Sequence, residues 1–129
     1  MAIASELPIF KATYELLRFI ISKEVMDKIP QKHRYDIGSR MKTACEDMLE
    51  NIYRANLYIN KEEPIREIRI KFSIVKINLR LLFDEKYLDE KTYSKSFDLI
   101  DQIGKQITGW NNHNAKKFGN SNNSGKSPS

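Results

Sequence analysis

The sequence predicts an all-α protein, an antiparallel up-down-up-down four-helix bundle followed by a disordered C-terminal tail. Three observations carry that reading. Apolar residues recur at helical spacing in four segments separated by short polar or proline-bearing joints. Glycine and proline are scarce, with five and four copies, which favours long helices over short strands joined by tight turns. After Trp110 the periodicity stops: the rest is asparagine, serine, glycine and lysine, with Phe118 its only large apolar residue. Such a segment buries too little surface to offset its ordering entropy. The bundle is therefore placed at residues 1–110 and the tail at 111–129, and the tail is expected to be dispensable for folding.

The first helix is expected from Leu7 and Pro8, a proline suited to a first helical turn, to Lys28-Ile29-Pro30. Its apolar stripe reads Phe10, Tyr14, Leu17 and Ile21, widened by Leu16, Phe19 and Ile20. The second runs from His33 or Tyr35 to Ile59 on a stripe of Ile37, Met41, Ala44, Met48, Ile52, Ala55 and Ile59. Asn60 to Glu63 break that pattern, and Pro64 opens a third helix that continues to about Glu85. Asp89 is placed as the N-cap of a fourth, which carries Tyr93, Phe97, Ile100, Ile103 and Ile107 to Trp110.

The third helix holds more than one interface needs. At about 100° per residue, Ile65, Ile68, Phe72, Val75, Leu79 and Leu82 share one face. Ile70, Ile74, Ile77 and Leu81 form a second apolar row, and Arg66, Arg69, Ser73, Lys76 and Arg80 lie between the two. The second row is either the edge of a wide core or a contact with another subunit, since four branched aliphatics in water are unusual for a monomer. The basic row is either a solvated face or a contact for an anionic partner. Its cations repel one another along one helical line, and arginine pairs bidentately with phosphate and carboxylate. Arg34 and Arg40, with Lys42, stand near the start of the second helix and could extend such a surface.

The net charge of +5 is unevenly spread. Residues 111–129 carry Lys116, Lys117 and Lys126 and no acid, which leaves 19 basic and 17 acidic residues elsewhere. That balance permits a nucleic-acid partner without demanding one. One cysteine, Cys45, cannot form an internal disulfide and reads as a small core residue of a reducing compartment. No apolar run approaches a membrane span of roughly 20 residues, and the N-terminus lacks the basic start and apolar stretch of a signal peptide. The expected location is cytoplasmic, with no membrane association. The two histidines, His33 and His113, are isolated, and the paired acids sit at helix starts, where the macrodipole favours them. No phosphate-binding glycine loop is present. These features point away from an enzyme and from any metal or cofactor.

Three segments, in this order, carry a family likeness: Ile29-Pro30-Gln31-Lys32-His33-Arg34-Tyr35 with Asp36-Ile37-Gly38, then Leu79-Arg80-Leu81-Leu82, then Ile103-Gly104-Lys105-Gln106-Ile107-Thr108-Gly109-Trp110. The chain resembles, over about Leu7 to Trp110, the accessory variability determinant (Avd) proteins of diversity-generating retroelements. The resemblance implies a four-helix bundle that assembles into a barrel-like homopentamer with a basic surface. It also implies partnership with the retroelement's reverse transcriptase, binding of RNA or DNA, and a part in the error-prone copying of template RNA into cDNA. Arg80 sits at a matching arginine position, whereas Arg66, Arg69 and Lys76 enter through the helix-face argument alone. The related four-helix proteins encoded in intervening sequences of 23S ribosomal RNA genes share the proline-plus-basic start of the second helix. The glycine-tryptophan ending favours the Avd resemblance.

Overall fold

The computed structural model describes residues 3–119, and among these the chain is helical with no strand. After a 3₁₀ turn, Ala4–Glu6, the long helix α1 spans Pro8–Ile20, with Pro8 in its first turn as expected. Short helices α2, Lys23–Met26, and α3, Gln31–His33, follow. A π-helical turn, Arg34–Gly38, then leads directly into α4, Ser39–Leu57. Helix α5 spans Glu62–Asp84, α6 spans Glu90–Ser94 and α7 spans Phe97–Asn114. Of the four long helices, α1 packs on α4 and α7, and α5 packs on α4 and α7.

One apolar cluster joins all four. It takes Ile9, Ala12, Leu16 and Ile20 from α1 and Met41, Ala44, Cys45, Met48 and Ile52 from α4. The expected third-helix face, Ile65, Ile68, Phe72, Val75, Leu79 and Leu82, is buried entirely, and α7 adds Ile103 and Ile107. Burying such a side chain contributes roughly 1.5–3 kcal/mol, most of it offset by the entropy of ordering the chain.

The structure corrects the sequence at three places where a single helix was expected. The first helix stops at Ile20 because Ser22 takes an extended conformation and its Oγ donates to the Phe19 carbonyl at 2.6 Å. That bend folds Val25 and Ile29 back over the end of the core, where both are fully buried. The fourth breaks at Ser96, which is buried and donates from Oγ to the Tyr93 carbonyl at 2.8 Å. Its start is as expected: the Asp89 carboxylate caps α6 by accepting from the Thr92 N–H at 2.7 Å. The Thr92 N–H, and then the Thr92 side chain, favour the ionised form and hold the Asp89 carboxyl below its ordinary value. The second helix starts earlier, at Gln31, through its π turn, and ends at Leu57 rather than Ile59. Gly38 lets Met26 approach the turn closely, since a Cβ there would lie 3.1 Å from the Met26 sulfur.

The stripe expected on α1 is off by a rotation. The buried face is Ile9, Ala12, Thr13, Leu16 and Ile20, while Tyr14 and Ile21 are exposed. Apolar residues surround much of this helix, so periodicity alone admits more than one face.

Helix α7 also passes the expected boundary at Trp110, running to Asn114 and then through a π-helical turn, Ala115–Gly119. The reason is polar rather than apolar. Asn114 is buried, its Oδ1 accepts from the Lys61 backbone N–H at 2.9 Å, and its Nδ2 donates to the Asn60 side chain at 3.2 Å. Asparagine carries no hydrophobic signal, so the periodicity missed it. The rest of the expected disordered tail, residues 120–129, lies outside the described residues. Replacing Asn114 with alanine leaves the Lys61 N–H without its acceptor, and the expected loss is about 1–3 kcal/mol. Chemical denaturation of the Asn114→Ala variant measures it, and an unchanged midpoint refutes the anchoring role.

Candidate interaction surface

Packing against α4 and α7 fixes how α5 is rotated, and that rotation decides what it shows to solvent. With Ile65, Ile68, Phe72, Val75, Leu79 and Leu82 turned inward, Arg66, Arg69, Ser73, Lys76 and Arg80 are all exposed along one line. From Arg66 to Arg80 is about 21 Å at 1.5 Å per residue, the axial length of roughly six base pairs of duplex at 3.4 Å of rise each.

The row is less bare than its five positions imply. Arg66 pairs with Glu62 at 3.6 Å, and Arg80 Nε faces both oxygens of Asp84 at 3.1 Å. The Asp84 carboxylate pushes the Arg80 pKa further up, so this cation is permanent. Lys76 lies 4.5 Å over the Phe72 ring. Arg69 has no ion pair among the described residues. Both acid partners stand one turn away on the same exposed helix, and such pairs exchange readily for a stronger anion. Glu62 and Asp84 sit at the two ends of α5, where a search of the row itself does not find them.

The other two candidate cations do not join this line. Arg34 is spent locally: its Nε donates to the Met26 and Ile29 carbonyls at 3.1 and 3.0 Å, and Nη2 reaches the Asp27 carbonyl at 3.5 Å. It ties the end of α2 to the π turn. Arg40 is exposed on α4 and lines a groove with Asp47, Lys71 and Ile74, on the opposite flank of α5 from Lys76. In that groove Lys71 reaches Asp47 at 3.4 Å and links α5 to α4. Lys42, suggested with them, pairs with Glu46 at 3.1 Å on α4. A cation the sequence reading missed, Lys105 of α7, shares the α5–α7 groove with Lys76. It is paired with Asp101 at 3.0 Å, and only tertiary packing brings it to the row.

Beside the basic row runs the second apolar row of α5, and the core does not absorb it. Ile74 packs partly against the core, but Ile77 is 66% exposed, Ile70 48% and Leu81 39%. A different apolar surface lies on α1 and α4. There the Phe10 ring meets Tyr53 edge-on at 5.6 Å, with Tyr14 48% and Leu57 68% exposed.

Among the described residues no three His, Cys, Asp or Glu side chains gather as metal ligands, and no helix is long and apolar enough to cross a membrane. Cys45 is fully buried, and burial, with Glu46 nearby, pushes its thiol from 9.0 up to about 12. Folding therefore favours the neutral thiol. Its contribution to stability is complete below pH 9 and is lost as the pH rises toward about 12. At pH 8 a disulfide reagent should label Cys45 only on unfolding, and rapid labelling of the native protein would contradict this burial.

A family model described as bAvd-like matches residues 9–114. No curated protein and no solved structure shows a significant match.

Proposed function

Because this chain belongs to the bAvd-like family, we propose that it is a non-enzymatic accessory protein of a diversity-generating retroelement, binding the reverse transcriptase and template nucleic acid to support mutagenic cDNA synthesis. The observation that carries the reading is the line of Arg66, Arg69, Lys76 and Arg80, exposed along one side of α5. Arg66 and Arg80 there have only weak intrahelical partners. A polyanion laid along α5 relieves the repulsion within the row and replaces those partners. Arg40 belongs to a second patch on the other flank, and Arg34 contributes to the shape of the region rather than to its charge. The scaffold is an antiparallel up-down-up-down four-helix bundle, supported by the closed circuit of contacts from α1 to α4, α5, α7 and back to α1. The setting is cytoplasmic.

The protein acts as a homo-oligomer, a pentamer on the family resemblance. Two apolar surfaces among the described residues differ: Ile70, Ile77 and Leu81 on α5 are aliphatic, while Tyr14 and Tyr53, beside the half-buried Phe10, on α1 and α4 are aromatic. Contact between unlike surfaces of successive copies is head-to-tail and closes into a ring when the rotation permits. Light scattering at micromolar concentration should show an oligomer, and Ile77→Glu should reduce it to a monomer with an unchanged helical spectrum. A wild-type monomer would overturn this part of the reading.

Changing Arg69 and Arg80 together to glutamate should abolish binding while the fold persists, because both side chains are exposed and lie outside core and caps. Titrations with structured template RNA and with the cognate reverse transcriptase should be run side by side. Binding through phosphates weakens with salt by nearly one log-log unit per contact on duplex DNA. Loss with both partners marks a shared surface, and loss with one assigns the row to that partner. A folded double variant that binds both normally leaves the row as a solvated face.

A further inference from the structure

At the far end of α7 a cleft opens between the start of α1 and the joint between α4 and α5. Leu7, Pro8 and Ile9 form one wall and Trp110 another, with Lys61, Gln106 and His113 as polar lining. Three observations set this cleft apart from ordinary surface relief.

The first is Lys61. Its ammonium donates to the Ala55 and Tyr58 carbonyls at 2.5 and 2.7 Å and lies 6.0 Å from the centre of the Trp110 ring. Two of its three N–H bonds are thereby committed. No carboxylate pairs with it among the described residues: the adjacent Glu62 and Glu63 are engaged by Arg66 and Arg54. The second is the charge around it. Burial, with Lys117 from the turn after α7, lowers the Lys61 pKa, so two cations lie near each other here, with no ion pair to Lys61 among the described residues. The third is Gly109. It lies inside α7, where glycine costs about 1 kcal/mol relative to alanine, yet a Cβ there would meet nothing within 4 Å. No close packing requires this glycine, and what it leaves open is the cleft it borders.

We propose that this cleft binds a nucleotide unit, its phosphate held by Lys61 and His113 with the charge of nearby Lys117 adding attraction, and its base laid against the apolar wall of Trp110 and Pro8. The ligand chemistry follows from the lining. A lysine with a second cation near it and no ion pair among the described residues favours an anion, and the apolar walls call for a flat, largely apolar body attached to it. An inorganic anion would leave those walls wet, and an uncharged hydrocarbon would leave Lys61 uncompensated. The Gln106 amide supplies donor and acceptor for a base edge. The site is separate from the α5 row and does not depend on it. The same unit can arrive as a free nucleotide or as one residue of a single strand.

Trp110 is the only tryptophan, so its emission reports on the cleft directly. Adenosine monophosphate, a short single-stranded oligoadenylate, a duplex of the same length and inorganic phosphate are titrated against the full chain. The expected result is saturable quenching by the monophosphate and the single strand, and none by inorganic phosphate or duplex. A strand at least tenfold tighter than the monophosphate identifies a strand residue as the natural occupant, and equal affinity identifies the free nucleotide. Gly109→Leu fills the cleft while improving helix propensity. It should keep or raise the thermal midpoint and lose the quenching at least tenfold. Lys117→Glu, on an exposed side chain, should weaken binding by a similar factor. The Arg69→Glu/Arg80→Glu variant should quench as the wild type does, which separates this site from the α5 surface. Wild-type emission unchanged at millimolar nucleotide overturns the proposal, as does a Gly109→Leu protein that binds normally.

Discussion

The seam between α4 and α5 governs the rest of the molecule. On α4, Met41, Ala44, Met48, Ile52 and Ala55 are buried, small residues alternating with long ones, and α5 answers with Ile65, Ile68, Phe72, Val75 and Leu79. Side chains of uneven size interlock, so the two helices cannot rotate against each other without opening voids. That fixed rotation makes Arg66, Arg69, Lys76 and Arg80 a line on the surface. It also places Ile70 and Ile77 in water. The exposed features of α5 follow from what its buried face requires.

Sequence and structure agree most closely on α5 for a related reason. Each of its faces has one chemical character, so helical periodicity reads them separately, and the core face is recovered residue for residue. On α1 the same method is only partly right: Leu16 and Ile20 are core and Phe10 and Leu17 pack against it, but Tyr14 and Ile21 are exposed and Ile9 takes a place the stripe does not give it. Only contact with α4 and α7 decides which residues are core. The breaks at Ser22 and Ser96 depend on a serine hydroxyl finding a carbonyl three residues back, a bond that serine makes in turns as well as beside helices. Arg34 looks in the sequence like any surface cation, and only the fold reveals three backbone carbonyls around its guanidinium. The periodic apolar signal was legible, and the polar contacts that bend and end helices were not.

The polar contacts have a second effect, at the opposite end of the design. Asn114 extends α7 beyond its apolar stripe and binds the backbone just before α5. The extension carries Lys117 toward Lys61, whose own ammonium holds the end of α4. One set of hydrogen bonds thus closes the joint between two helices and concentrates positive charge beside Trp110. The net charge of +5 understates such local concentrations, because acids elsewhere balance the sum while Glu62 and Glu63 beside Lys61 are paired with Arg66 and Arg54.

Under the proposed function, the basic row by itself would be a weak binder. Arg66 and Arg80 must give up intrahelical partners, and all its cations are solvated, so each phosphate contact gains little in physiological salt. Repetition changes that balance. The aliphatic row of α5 lies directly beside the basic row, so an assembly that buries Ile70 and Ile77 of each copy sets the basic rows at fixed spacing. A strand that reaches one row is then held at high effective concentration near the next, and avidity rises by orders of magnitude with no new type of contact. Under this arrangement the uncovered aliphatics and the cations serve one purpose. The first multiplies the second, and a loss of assembly would weaken nucleic-acid binding even with every arginine in place.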